Sequence, residues 1–532
     1  MIRLTDLALP FDHADQDLID LILRRLMVQR DQLISFNVVR KSIDARHKSS
    51  ILAVYTIDAE VQDEPAILAA LSADPHIAPA PCTDYQLPAV ADLHNRRSPV
   101  IAGSGPCGLF AALILAQLGC KPILIERGKQ IASRVKDVHD FWRQGILDPE
   151  SNVLFGEGGA GTFSDGKLTT RIKDKHNRCG KVLRELVEAG APTNILSDAK
   201  PHIGTDNLVG VIKNIRTTII SLGGQVRFET KLTDIETADG KIAAAVVNDS
   251  ETIPTDTLVV ALGHSARDTF AMLHSRGITM TAKPFSLGVR IEHPQSAIDS
   301  ARYGRFADHP LLPPADYQLT CHCPNNRSAY TFCMCPGGAV IASASEAGTV
   351  VTNGMSRYLR NLPNANSALL VGVGPDDFDS AHPLAGIDFQ RKWEQKAFAL
   401  GGGDYYAPVQ LVGDFCSDRC SRSLGDVRPS YTPGTTLCDL AGCLPDFVVE
   451  TLRLAIPQMD TKLKGFASHD AVMTALESRS SSPVRILRDD TFQSAAVRGL
   501  YPAGEGAGYA GGIISAAVDG IKIAEAIIGN RR

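Results

Sequence analysis

Gly103, Gly105 and Gly108 are spaced G-x-G-x-x-G between two apolar runs, and Glu126 closes a third apolar run 18 residues beyond Gly108. The order is strand, glycine turn, helix, strand, acid, which is what holding a dinucleotide requires. The first glycine permits a tight turn. The second lets backbone approach a pyrophosphate, and the third lets the helix pack close to the strand. The helix that follows the turn offers free N–H groups and a positive dipole end to phosphate oxygens at its N-terminus. A carboxylate at Glu126 accepts hydrogen bonds from ribose hydroxyls and repels a 2′-phosphate. The turn therefore favours an adenosine with a free ribose, as in FAD or NAD.

Other residues could add chemistry. Gly156, Gly158 and Gly161 repeat the G-x-G-x-x-G spelling, but no long apolar helix follows. They read instead as a glycine-rich loop, with Gly159 among them, where backbone meets a ligand closely. Ser164 and Lys167 in that loop could contact a cofactor or an anionic substrate. His202 suits proton transfer near neutral pH, or a structural hydrogen bond. Arg290 could clamp a carboxylate or face solvent from a strand. Cys321, Cys323, Cys333 and Cys335 form two C-x-C pairs flanking a hairpin around Asn325 and Asn326. Four thiols could bind zinc or iron, but alternate cysteines on a strand merely share a face. The reading taken is no metal, with Cys335 lining a pocket. Cys107 sits alone in the glycine turn and reads as packing.

The elements that position these residues follow from periodicity. Residues 1–95 read β-α-β-β-α, with strands over 2–9, 34–43 and 51–60 and helices over 15–29 and 64–72. One more strand would complete a ferredoxin-like unit. Pro79, Pro81 and Pro88 then mark a linker. After the glycine turn come an apolar helix over 109–118, a helix over 207–222, a strand over 225–232 and a meander over 234–253 turning at Asp239-Gly240. A buried strand over 257–263 ends in Gly263. Residues 284–485 change texture, with short alternating segments and many prolines. The end of the chain returns to a glycine turn at 499–512 and a helix over 513–528.

The chain has 532 residues, a net charge of −5 and 12 cysteines. That length supports two or three domains. The mild negative charge and the composition are ordinary for a soluble protein. The basic run 40–48 is a weak RNA candidate, and contacts within the protein or with a partner protein are preferred. No apolar run suits a membrane span, and the first residues lack a signal peptide's pattern. Cysteines without a secretion signal point to a cytoplasmic, reduced protein. No internal repeat is seen.

The order of these pieces resembles the FAD-binding fold shared by glutathione reductase and fumarate reductase. The chain most resembles bacterial FAD-dependent dehydrogenases of unassigned substrate, through residues 155–168, 200–206, 333–338 and 503–512. The implied fold is α/β: a Rossmann-like FAD/NAD(P)-binding unit with a parallel sheet and β-meander (96–283 plus 486–532), an inserted α+β substrate domain (284–485) and the N-terminal ferredoxin-like α+β domain (1–95). The resemblance implies that Gly103, Ser104, Gly105, Pro106 and Gly108 hold the pyrophosphate. Glu126 and Arg127 would sit at the adenosine ribose, Leu232 at the adenine and Gly263 beside the dinucleotide. Gly158, Gly159, Gly161, Ser164 and Lys167 would line the cofactor. Gly504 and Glu505 would stand near the ribityl chain, where most relatives have an aspartate. Gly511, Gly512 and Ile513 would open a helix aimed at the flavin, its dipole favouring an anionic reduced form. Catalytic residues are not assigned; His202, Cys335 and Lys167 are the candidates.

The implied activity is hydride transfer between flavin N5 and an unidentified small-molecule substrate. A second strand–G-x-G-x-x-G–helix unit is missing and no C-x-x-C lies by the first helix. NAD(P)H is therefore expected at most as a transient reductant, without a dithiol relay. The alternatives are an FAD monooxygenase and an RNA- or protein-binding module that keeps FAD as a structural or sensing group. Substrate and oligomeric state stay open.

Overall fold

The computed structural model describes residues 1–88 and 97–530. The expected boundary at 95–96 lies outside the described residues.

The first unit is a four-stranded antiparallel sheet in the order Leu33–Asp44, Leu52–Val61, Ile2–Pro10, Ile77–Pro79. Helices Asp15–Leu26 and Glu64–Ala70 pack on it. The strand at 77–79 completes the β-α-β-β-α-β order of a ferredoxin-like unit. In the first strand the core side chains switch from Ile2 and Leu4 to Leu7 and Leu9. A one-residue slip would normally turn half of them outward. A β-bulge between Leu4 and Leu7, with Asp6 at φ 55°, absorbs the slip.

The glycine turn belongs to a five-stranded sheet in the order Leu500–Pro502, Leu258–Val260, Val100–Ala102, Ile123–Ile125, Gln225–Arg227. Every neighbouring pair is parallel. The inner strands are continuous apolar triplets because both faces are covered. Helix Pro106–Gln117 is buried from Cys107 to Ala116, caught against Thr205–Ser221 and Ile513–Asn530. Gly520 allows that closeness, since a Cβ there would lie 2.1 Å from the Cys107 carbonyl oxygen. The strand expected over 225–232 is shorter. It ends at Arg227, the chain turns through Glu229 at φ 52°, and Leu232 opens the meander instead. The meander strands are Leu232–Ala238, Lys241–Val247 and Glu251–Pro254. They turn at Asp239 and Gly240, both at positive φ, as a two-residue hairpin prefers.

The inserted region builds a seven-stranded sheet centred on Phe285–Pro294, which is buried at every position but the last. Its odd positions, Phe285, Leu287, Val289 and Ile291, enter an apolar core. Its even positions carry Ser286, Arg290 and Glu292, also buried. The two connections to the FAD-type unit run side by side: Met280–Ala282 pairs antiparallel with Val484–Ile486. No helix among the described residues is long and apolar enough to cross a membrane.

A buried ionic cluster ties the two units. Glu394, on helix Ala385–Gly401, lies 2.9 Å from Arg267 of the helix Arg267–Ser275 and 2.9 Å from Arg479. Burial raises the Glu394 carboxyl, but the two guanidinium groups outweigh it and hold the carboxyl well below its usual range. A depressed carboxyl stabilises the fold above its ordinary pKa and loses that contribution as pH falls towards the folded value. Glu394→Ala leaves two buried cations facing each other. It should lower unfolding free energy by about 3–5 kcal/mol in urea titrations, with the loss relative to wild type shrinking below about pH 4.

Candidate functional site

Gly103 leaves the central strand at φ 106°, and a Cβ there would lie 2.3 Å from the Ala261 carbonyl oxygen. Gly108 presses on the turn from the helix side, with a Cβ position 1.8 Å from the Gly103 carbonyl oxygen. Only glycine fits at either place. Gly105 differs: around its Cβ position the nearest atom is the Gly159 Cα at 3.8 Å. Beside Gly105 lies the first turn of Pro106–Gln117, with the N–H groups that a helix start leaves without helical partners.

Two more glycine segments converge on this turn. The Gly158 N–H donates to the Ser104 carbonyl at 3.0 Å, and Gly159 backs onto Gly105. A Cβ on Gly161 would lie 3.2 Å from Cγ1 of Ile513, the first residue of the last helix. Gly504 packs on Cys107, which is buried, and Gly506 on the Gly263 carbonyl. The glycines thus fall into two sets. Gly103, Gly108, Gly504 and Gly506 are demanded by chain-to-chain contact. Gly105, Gly263, Gly511 and Gly512 border space: nothing lies within 4 Å of the Cβ positions of the last three. An open, glycine-walled cradle between two helix N-termini fits a pyrophosphate-linked flavin dinucleotide.

Glu126 is buried and accepts four hydrogen bonds. Its Oε2 takes the Ser104 N–H at 2.9 Å and the Ser104 hydroxyl at 2.8 Å; its Oε1 takes the Gly128 and Gly156 N–H groups at 2.9 and 3.0 Å. A ribose hydroxyl could reach this carboxylate only by sharing or replacing one of those donors. Arg127 pairs with Glu150 at 2.7 Å and Asp268 at 2.9 Å and lies over the Phe155 ring. Leu232 is buried at the start of the meander. Ser164 bonds locally, donating to Gly161 O at 2.7 Å and accepting from Gly166 N–H at 3.0 Å. The Glu505 carboxyl is pushed up to about 7 by burial, against the opposing pull of the Gly512 N–H and Lys283.

Lys167, His202 and Cys335 come together where the glycine-rich loop meets the inserted sheet. Lys167 and His202 form an isolated β-bridge. The Lys167 ammonium lies 3.0 Å from Asp165 and donates to the Met334 carbonyl. Asp165 is held bidentately by Arg360 at 2.6 and 3.0 Å. Burial pushes the Cys335 thiol up, while Lys167 pulls it back. His202 is pushed down by burial and Arg360, so it is neutral at pH 7. Its Nε2 bonds the Tyr358 carbonyl at 2.9 Å. A carbonyl only accepts, so Nε2 carries the hydrogen and Nδ1 keeps the lone pair.

Arg290 does not face solvent. It is fully buried and clamps a carboxylate of the protein itself, Glu477, at 2.9 and 3.1 Å. It also donates to the Cys333 carbonyl at 2.9 Å, and strand Thr352–Ser356 brings Asn353 to within 3.1 Å of it. The four C-x-C thiols separate. Cys321 and Cys323 sit 3.7 Å apart against Gln458 and Thr451, whereas Cys333 and Cys335 lie by Lys167 and Arg290. No group of three metal-ligating side chains occurs among the described residues.

Two residues escaped the sequence reading. Arg134 is buried and donates to the carbonyls of Asn152, Val153 and Glu157 at 2.9, 2.9 and 2.6 Å, gripping the glycine-rich loop from beneath. Its signal was available: it shares the apolar helical face of Ile131, Val138 and Phe141. Asp519 accepts the Gly504 N–H at 2.8 Å and pairs bidentately with Arg488, fixing the C-terminal turn to the last helix. No spacing announces that pair.

A hollow of about 430 Å³ is lined by Pro284, Phe285, Ser286, Tyr330 and Gly372, on the inserted sheet beside the connecting ribbon. It contains none of the glycine walls and none of the Lys167 cluster.

Residues 284–480 match a family described as FAD-dependent protein, C-terminal domain-like, and residues 1–60 match a domain family of unknown function. An uncharacterized protein of Clostridium beijerinckii is 49% identical over 528 residues, covering 99% of this chain and 98% of its own. Solved structures similar to this one include L-proline dehydrogenase from P. horikoshii, at 11% identity over 82% of this chain and 94% of that chain with a TM-score of 0.37. Glycine oxidase from Bacillus cereus is another, at 9% identity over 82% of this chain and 96% of that chain with a TM-score of 0.31. At such scores the likeness carries no argument about this chain. With a relative matched end to end and an FAD-dependent C-terminal domain matched within it, the chain belongs to this family of FAD-dependent proteins.

Proposed function

We propose that the protein is an oxidoreductase that passes hydride between flavin N5 and a small-molecule substrate held where the glycine-rich loop meets the inserted sheet. The observation that carries this reading is the open cradle bordered by Gly105, Gly263, Gly511 and Gly512, with the Lys167 cluster at the seam of the two units. FAD, when bound, supplies the two-electron chemistry. The protein supplies everything else. The starts of Pro106–Gln117 and Ile513–Asn530 present N–H groups to negative charge. Lys167 stays charged between Asp165 and the Cys335 thiol, and can hold an anionic substrate group. His202 Nδ1 can take a proton. NAD(P)H serves as a transient reductant. No disulfide forms among the described residues, which fits a reducing cytoplasm.

The deciding experiment is an anaerobic absorbance titration of the purified protein with NADH and NADPH, followed by oxygen. A flavin spectrum bleached by one nicotinamide is expected. No flavin spectrum after added FAD overturns the proposal, and oxygen uptake gated by a substrate moves it to a monooxygenase.

The two sets of glycines separate folding from binding. Gly105→Val should leave the melting temperature of the FAD-free protein unchanged and weaken FAD binding about 100-fold by fluorescence titration. Gly108→Val should lower the melting temperature itself.

Glu505 gives a pH signature. A carboxyl raised in the folded state binds its proton there first, so stability falls as pH climbs from about 4.5 to about 7. Glu505→Gln removes that slope. In the FAD-free protein it should gain up to about 3 kcal/mol over wild type across this window, read from urea titrations at each pH.

A further inference from the structure

The N-terminal domain touches both units whose seam forms the proposed site. On one side Phe11 packs edge-on against Phe306 and His309, at ring distances of 5.3 and 4.7 Å, and Ile51 enters the core of the inserted domain. On the other side its edge strand Leu33–Asp44 is extended by a segment of the FAD-type unit. The Lys41 N–H donates to Ser197 O at 2.7 Å, and the Ala199 N–H donates to Lys41 O at 2.9 Å, making a parallel bridge between Lys41 and Asp198.

Two hydrogen-bonded routes lead from that bridge to His202. The backbone route runs four residues along the chain, where the Leu168 N–H donates to Pro201 O at 2.9 Å and the Ile203 N–H to Gly166 O at 3.1 Å. These bonds set His202 across from Lys167. The side-chain route starts at Asp198, which accepts from the Asn194 amide at 2.6 Å. Asn194 in turn accepts the Tyr358 hydroxyl at 3.2 Å. The Tyr358 ring stacks on the His202 ring at 5.3 Å, and its carbonyl takes the His202 N–H. Both routes start at the Lys41–Asp198 bridge and end on the same imidazole.

We propose that the N-terminal domain is a positioning element for the site, holding His202 opposite Lys167 through the Lys41–Asp198 bridge. The functional weight of this rests on the site proposed above; the geometry does not. Lys41 directs its N–H and carbonyl away from the neighbouring strand, where it stands opposite Tyr55. Proline is tolerated at such an outward edge position, so Lys41→Pro removes the bridge and keeps the hairpin.

In the full-length protein, Lys41→Pro should keep its far-UV circular dichroism. Amide exchange at Ala199 and Ile203 should become about tenfold faster or more. Modification of His202 by diethyl pyrocarbonate, read by mass spectrometry, should accelerate similarly. Ala199→Pro, which removes the donor of the other bridge bond, should speed exchange at Ile203 and modification of His202 likewise, and decides the matter if Lys41→Pro does not fold. Asn194→Ala should speed His202 modification while leaving exchange at Ala199 unchanged. Folded Lys41→Pro and Ala199→Pro proteins with wild-type exchange and wild-type His202 reactivity would overturn the proposal. None of these readouts needs turnover, so a protein that takes up no FAD would overturn the proposed function and leave this result standing.

Discussion

Three loops meet on one buried carboxylate. Glu126 accepts N–H groups from the glycine turn, from the chain just past its own strand and from the second glycine-rich loop. Each of those amides would otherwise be a buried donor needing a partner, and a carboxylate with several acceptor sites satisfies them together. The cradle's shape depends on this, because the contact of Gly159 with Gly105 exists only while the second loop is drawn down onto the turn. Arg134 answers from the opposite side with the reverse chemistry, its guanidinium collecting the loop's carbonyls. One acid gathers donors and one base gathers acceptors, and the loop between them adds small apolar clusters of its own through Val153, Leu154, Phe155 and Phe163.

How much of this the sequence announced depends on how local each feature is. The turn at 103–108 and the acid at 126 are close in the chain, and their spacing reflects sterics that no other residues could satisfy. The meander and the ferredoxin-like strands show alternation that survives without knowing the fold. The Lys167, His202 and Cys335 candidates were visible only as separate, weak suggestions. What unites them is the docking of the inserted sheet, which brings Met334 O onto the Lys167 ammonium across 167 positions of chain. No local pattern encodes that distance. Arg290 was open to misreading for a related reason. An antiparallel sheet commonly has one wet face, but here strand Thr352–Ser356 covers it, and a Cβ on Gly354 would lie 2.4 Å from the Arg290 guanidinium. The cover comes from more than sixty residues further along, and its glycine is the only local hint.

The inserted domain therefore has an apolar interior on one side of its central strand and a polar one on the other. The polar side holds Arg290, Glu292, Asn366 and Thr474, all fully buried. Burying such groups is costly unless each is paired, and most are: Glu477 answers Arg290, while Asn364 and Ser430 answer Glu292. An apolar filling would be simpler to stabilise. The polar layer instead fixes the position of the Cys333–Cys335 backbone, since Arg290 bonds the Cys333 carbonyl directly. The rigidity of one side of the Lys167 cluster is thus set by charges that never reach the ligand.

The other side of the cluster is held differently. His202 lies on a short segment without a helix or strand of its own, and its conformation is borrowed from the bonds to Gly166 and Lys41 on either hand. Segments outside regular helices and ladders open at lower free energy than core strands. The site therefore joins a rigid wall, built from buried ion pairs, to a softer one, built from edge-strand hydrogen bonds. A softer wall is the one able to admit a substrate. Its outermost support is the N-terminal domain, which makes that domain part of the site's construction although it contributes no group to the cradle.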